Sequence, residues 1–290
     1  VDVSKAYALT MYVDKLRKEW LAPDHPDNNK TFEALGSIQY SSGDYDEAMA
    51  NYQKYLEYNI AKNGRHSYYT ALSYNRIGKV AFEQGDYAKA IENYTEAIAI
   101  GEEITYDESS QDLAMVYMLR ALPLSKLERF AEAEMDLRKA QSIYTKTLPP
   151  ESGVLSQAVI FYSWIKLQQN DYDSAHYYVD VAIAKLTSLP ENNPHLMAYA
   201  DVIKEAYQMK AQIILAQSGD VAALKQAEQL FEKSLKWVRT WQYSFQGESS
   251  VLVHFDNSER VFTRAKELYN DLRETTGDAS YIDRIYETDE

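Results

Sequence analysis

The chain superposes on itself after a shift of 42 residues: Leu35, Gly36, Gly43-Asp44-Tyr45, Ala48 and Tyr52 return as Ile77, Gly78, Gly85-Asp86-Tyr87, Ala90 and Tyr94. A period of this size means that each copy is one supersecondary unit, too small to bury its own apolar face and completed only by its neighbours. That excludes a single closed core. Three further copies are degraded. Ala121, Phe130, Ala133, Leu137 and Ala140 mark the third, and Ser163, Asp171-Tyr172, Ala175, Val179 and Ala182 the fourth. Tyr207, Ala211, Ala227, Phe231 and Ser234 mark the fifth, which carries four extra residues around Ser218 to Leu224, so its turn is expected to bulge.

Within each copy two stretches of helical periodicity flank a short turn. Tyr74, Ile77, Gly78 and Ala81 share one stripe, and Ala90, Tyr94 and Ala97 share the facing stripe of the following helix. Two antiparallel helices follow, with the small residues Gly36, Gly78, Ala121, Ser163 and Ala211 at their closest approach. The aromatic after each turn is expected over the apex. Copies three and four lack a turn glycine, and Pro123 falls inside a helix; it removes one backbone bond and predicts a kink near Leu119 to Leu122.

Composition narrows the function. With 30 Lys plus Arg against 44 Asp plus Glu, the net charge of −14 repels phosphate backbones and anionic membrane surfaces. The densest basic run, Lys15, Arg17 and Lys18, is interleaved with apolar residues as on a solvated helix face. No nucleic-acid partner is expected, and no membrane insertion, because no apolar run approaches the roughly 20 residues a span requires. The chain has no cysteine, which excludes disulfides, thiolate metal sites and a Cys nucleophile but is compatible with any compartment. A cytoplasmic location is expected. A start at Val1 reads as a removed leader or upstream segment.

These residues resemble tetratricopeptide repeats, and the 42-residue spacing resembles the longer variety found in kinesin light chains and many bacterial signalling proteins. Leu21-Ala22-Pro23-Asp24-His25-Pro26, followed by Thr31-Phe32-Glu33-Ala34-Leu35-Gly36, is similar to the linker and next-helix start of that variety; Asn63-Gly64-Arg65-His66 is a version without the proline. The resemblance implies an all-α solenoid, an α-α superhelix of about five helical hairpins with partial units at each end. Its expected layout is a half repeat over residues 1–22, read as a second helix lacking its first, and hairpins over 30–62, 72–104, 114–147, 156–188 and 204–242, so that the solenoid covers 1–244. Residues 245–290, with Ser249, the helical run Val261 to Leu272, Thr276-Gly277-Asp278 and Tyr281-Ile282, resemble the segment that joins such repeats to the caspase-like peptidase of bacterial CHAT-domain proteins. That implies a helical segment packed on the solenoid, linking to a peptidase domain downstream.

No catalytic, cofactor or metal site is expected. The five histidines, at 25, 66, 176, 195 and 254, are not paired at ligand spacing, and His25 and His66 occupy equivalent loops where a capping role suffices. The carboxylates are scattered along helical faces, and the Gly-Asp-Tyr turns lack the strand and Lys-Ser/Thr of a phosphate loop. Trp20, Trp164, Trp237 and Trp241 read as packing residues. The remaining candidate is a partner-binding groove. In the tetratricopeptide family the first helix of each pair lines it, which places Glu33, Ser37 and Tyr40, then Asn75, Lys79 and Phe82, then Met118 and Leu122, then Ile160 and Trp164, then Gln208 and Gln212 along it. Asn75 and Lys79 resemble half of a carboxylate-gripping arrangement that Glu33 and Ser37 do not complete. The implied partner is a protein or peptide, or the chain's own downstream peptidase; a free-standing adaptor is the alternative.

Overall fold

Glycine begins the fold locally. The backbone of Gly43 and Gly85 takes φ of 79° at both positions, the left-handed region that closes a helix. The N–H of Asp44 then donates to the carbonyl of Gln39 at 2.8 Å, and that of Asp86 to Ala81 at 2.9 Å. In a computed structural model of the chain, which describes residues 3–21, 25–104, 110–150, 152–188, 199–244 and 255–287, these turns join antiparallel helices.

The described residues form thirteen α-helices and no strand. They are α1 (Val3–Trp20), α2 (Lys30–Ser41), α3 (Tyr45–Asn63), α4 (Tyr68–Glu83), α5 (Tyr87–Ile104), α6 (Gln111–Lys126), α7 (Phe130–Thr147), α8 (Gly153–Gln168), α9 (Tyr172–Thr187), α10 (Ala200–Gln217), α11 (Val221–Ser244), α12 (Phe255–Thr276) and α13 (Ser280–Glu287), with a short 3-10 turn, Pro26–Asn29, before α2. The chain divides into two units, Val1–Thr147 and Leu148–Glu290. In the first, α1 packs on α2, the hairpins α2–α3, α4–α5 and α6–α7 form, and α3 meets α4 as α5 meets α6. In the second, α8–α9 and α10–α11 form hairpins, α10 packs on both helices of its predecessor, α12 packs on α11 and α13 folds back on α12.

Copies three and four keep the turn without its glycine. Glu128 and Asn170 take φ of 59° and 58°. Behind them the same bonds close: Arg129 N–H to Leu124 O and Asp171 N–H to Lys166 O, each 2.9 Å. Tertiary packing therefore holds an L-residue where its Cβ is disfavoured. Asn170 tolerates the conformation through its short polar side chain, which accepts a hydrogen bond from the Tyr172 hydroxyl at 3.2 Å, whereas Glu128 is exposed. Glu128→Gly is expected to stabilise the chain by roughly 0.5–1 kcal/mol, less than the strain it relieves because glycine gains freedom in the unfolded state. A thermal midpoint raised by a few degrees, set against a smaller change for Asn170→Gly, would measure it.

Hairpin cores are matched by size. A Cβ on Gly36 would stand 2.7 Å from the Tyr52 ring, and one on Gly78 2.8 Å from that of Tyr94. Where the small position is Ala121 or Ser163, the residue at the position of the tyrosine is Leu137 or Val179, and both are fully buried. Each tyrosine buried in this way contributes about 1.5–3 kcal/mol. The apex aromatics also pack, with Tyr40 against Tyr45 (centroids 5.8 Å apart) and Phe82 against Tyr87 (5.6 Å).

Two expectations change. The fifth turn does not bulge: α10 ends at Gln217 and α11 begins at Val221, leaving the same three-residue link as in the earlier hairpins. The extra residues extend both helices at the tip, since α10 ends farther past Ala211 and α11 starts farther ahead of Ala227 than their counterparts do around Gly78 and Ala90. Trp20, expected in packing, is 81% exposed. Trp164 and Trp237 do pack, partly buried, against the α8–α10 core, and the Trp241 side chain lies outside the described residues. α6 runs through Pro123 to Lys126, and Pro123 is buried. Residues 255–287 of the C-terminal segment form α12 and α13, whose Leu268, Tyr269, Leu272 and Tyr281 share a core with Leu230, Phe231 and Leu235 of α11.

Candidate functional site

In the first unit the candidate groove residues divide into those already satisfied by neighbours and two that are not. Glu33 accepts a hydrogen bond from Arg76 Nη2 at 3.3 Å, Ser37 is paired with the Tyr52 hydroxyl at 3.0 Å, and the Tyr40 hydroxyl donates to Glu83 at 3.3 Å. These bonds tie α2 to α3 and α4 and occupy the polar atoms that a partner would use. Phe82 is engaged with Tyr87. Met118 is 3% exposed and lies in the core, so it is not a groove residue; Leu122 is half-buried. Met115, one turn before Met118 on the same helix, is 43% exposed.

Asn75 and Lys79 are the remaining pair, one turn apart on α4. They line a cleft of about 180 Å³ with Tyr68, Leu72 and Arg76 of α4, Gly101 of α5, and Asp112, Met115 and Val116 of α6. Among its lining residues Gly101 marks a close approach of α5 to α6, where a Cβ would stand 2.9 Å from Leu113. Inside it, three polar atoms lack partners among the described residues: Asn75 Oδ1, Arg76 Nε and Lys79 Nζ. Burial, together with the neighbouring Arg76 guanidinium, pushes the Lys79 ammonium below the usual lysine range. Among the described lining residues the one carboxylate, Asp112, already accepts from the Tyr68 hydroxyl at 3.1 Å. A desolvated cation beside an open amide and an apolar wall is an arrangement completed by an anion. The sequence reading missed Arg76 and Met115; the cationic spacing of Arg76 and Lys79, three residues apart on one helix face, was the available signal.

In the second unit Ile160 is 3% exposed and belongs to the hydrophobic core, so it too is removed from the groove, and Trp164 packs partly buried on that core. Gln208 donates to Ser234 Oγ at 3.2 Å, and Gln212 is half-buried. One carboxylate stands out: burial raises Glu205, whose hydrogen-bond partner is the Gln157 amide at 3.5 Å.

The histidines have structural work. His25 Nδ1 caps the 3-10 turn by accepting from Asp27 N–H at 3.2 Å, His66 pairs with Glu103, and His176 with Gln217 at 2.9 Å. His195 and His254 lie outside the described residues. Among the described residues no group of three or more His, Asp or Glu is placed to hold a metal, and no helix is long and apolar enough to cross a membrane.

Comparison with known proteins agrees with the geometry. Residues 29–103 match the tetratricopeptide repeat model. No curated protein sequence matches the chain. Among solved structures, BtubC (BKLC) from P. vanneervenii is similar over 86% of this chain and 95% of that one, with 16% identity and a TM-score of 0.61. The apo form of RapI is similar over 99% of this chain and 91% of that one, with 12% identity and a TM-score of 0.63. At these identities the likeness speaks for the fold. The chain thus has the all-helical fold of a tetratricopeptide solenoid and carries the sequence pattern of that repeat family over residues 29–103.

Proposed function

We propose that the chain is a peptide-binding scaffold whose first-unit cleft takes an acidic side chain or carboxylate of a partner segment, with Lys79 as the counter-charge, Asn75 as the hydrogen-bonding group and Met115 as the apolar neighbour. The observation that carries it is the partly desolvated Lys79 ammonium, which has no partner among the described residues. A lysine kept for stability would be paired or fully solvated; one kept for binding is left open at a cost to the free protein. In this function the chain holds a partner and carries out no reaction.

Two opposed effects of one substitution provide the test. Lys79→Met is expected to raise the thermal midpoint, by the equivalent of about 1 kcal/mol, because an uncompensated charge leaves an apolar cleft. It is also expected to lower affinity for acidic peptides about tenfold or more. Titrating short labelled peptides that carry one carboxylate beside an apolar residue, against their amide analogues, reads the second effect, and Asn75→Ala should weaken the same peptides. Equal binding by wild type and Lys79→Met would remove the cleft from consideration.

A second function, regulation of a caspase-like peptidase, is favoured by the likeness of residues 245–290 to the segment preceding that domain in CHAT-domain proteins. It predicts that such a peptidase, supplied by its own gene neighbourhood or polypeptide, changes activity on binding this chain; an unaltered rate in its presence counts against it.

A further inference from the structure

The register position six residues before the small contact residue changes character along the chain. Leu72 precedes Gly78 and Met115 precedes Ala121 in this way, then Gln157 precedes Ser163 and Glu205 precedes Ala211. In the first unit Leu72 and Met115 line the cleft with Lys79. In the second unit Gln157 of α8 and Glu205 of α10 are both half-buried, and Gln157 Nε2 donates to Glu205 Oε2 at 3.5 Å, the outer limit of a hydrogen bond. No cation among the described residues forms an ion pair with Glu205. The ammonium next to it in sequence, that of Lys204, is already bonded to Asp201 Oδ1 at 2.9 Å, with a side chain 3% exposed. Asp201, Lys204 and Glu205 thus bring two carboxylates and one cation to the same stretch of α10.

Burial raises the Glu205 carboxyl above the usual glutamate range, and the Asp201 carboxylate adds to the rise, against the opposing pull of Lys204 and the Gln157 bond. The Gln157 amide donates and so favours the ionised form, but a neutral group cannot balance its charge. What restores both the charge balance and the hydrogen bonds lost to desolvation is a cation that carries N–H groups. Two carboxylates, one already taken by Lys204, are too few oxygens for a hard metal ion. The net charge of −14 draws basic segments and repels acidic ones. We infer that Glu205 anchors a second binding site, which takes a lysine or arginine side chain of a partner segment lying against α8 and α10. Gln157 Oε1, which has no partner among the described residues, can accept a second N–H of the same group. The site lies within the second unit and needs nothing from the Lys79 cleft.

The probe is a set of acetylated, amidated short peptides, each carrying one arginine or one lysine among neutral and apolar residues. Citrulline and acetyl-lysine analogues remove the charge and keep the shape, and the two series tell which basic side chain is taken. At physiological salt the full chain should hold the best charged peptides at least about tenfold more tightly than their neutral analogues. Glu205→Gln should abolish that preference, Gln157→Ala should reduce it, and Lys79→Met should leave it unchanged. General attraction to an acidic chain is told apart by Glu274→Gln, which removes the same single charge from a side chain 72% exposed and should keep the preference intact. Because Glu205→Gln preserves the side-chain shape and relieves an uncompensated charge, its thermal midpoint should hold or rise, so that lost binding is not lost folding. A wild-type chain blind to the charge, a preference that survives Glu205→Gln, one lost equally in Glu274→Gln or Lys79→Met, or a midpoint lowered by Glu205→Gln would each overturn the assignment.

Discussion

Gly78→Leu is expected to destabilise the first unit by about 3 kcal/mol or more, enough to lower its thermal midpoint by many degrees. The cause is steric and already present at the first added carbon. A Cβ on Gly78 would stand 2.8, 2.9 and 3.1 Å from Cε1, Cδ1 and Cζ of Tyr94, whose ring is 2% exposed and has no room to retreat. Alanine at this position should cost about 1–3 kcal/mol, and leucine more, because its remaining atoms must displace either the ring or the whole α4–α5 hairpin. Gly219→Ala is the control: nothing lies within 4 Å of its would-be Cβ, and its midpoint should scarcely move. Urea titration followed by far-ultraviolet circular dichroism would separate the three variants. A Gly78→Leu chain as stable as wild type would show that α4 and α5 do not pack in the register described.

Asp136→Ala should cost about 3–5 kcal/mol, the range for removing one partner of a buried ion pair. The Asp136 carboxylate is 1% exposed and receives Arg120 Nε and Nη2 in a two-pronged contact, both bonds 2.8 Å. Arg120 also donates to Thr95 Oγ1 at 3.0 Å and lies 5.8 Å from the Tyr117 ring centre, so one guanidinium joins α5, α6 and α7. Deleting the carboxylate leaves that cation largely buried with a neutral hydroxyl as its remaining hydrogen-bond acceptor. The double variant Asp136→Leu, Arg120→Met should recover much of the loss, since the cost arises from the orphaned charge more than from the pair itself. If the single and double variants were equally unstable, packing and not charge would account for the effect.

The candidate site was half legible beforehand. Asn75 and Lys79 are expected in the groove as first-helix residues one turn apart, and both line the cleft. Met118 and Ile160 are expected there on the same ground and lie in the core instead. A helical count fixes which residues share a face, but how much of that face the neighbouring helices cover is set by packing between elements far apart in the chain. Arg76 and Met115 also line the cleft.

Sequence alone determined the period, the helical hairpin and the place of each small residue, because these follow from contacts between residues close in the chain: a left-handed turn, a ring opposite a glycine, a stripe every three or four positions. Only the tertiary structure decided which polar atoms were left without partners, that Glu128 and Asn170 could occupy the glycine conformation, and that four inserted residues lengthen two helices instead of loosening their turn. Those outcomes depend on neighbouring repeats acting together, where desolvation and steric fit are set by surfaces far apart in the chain.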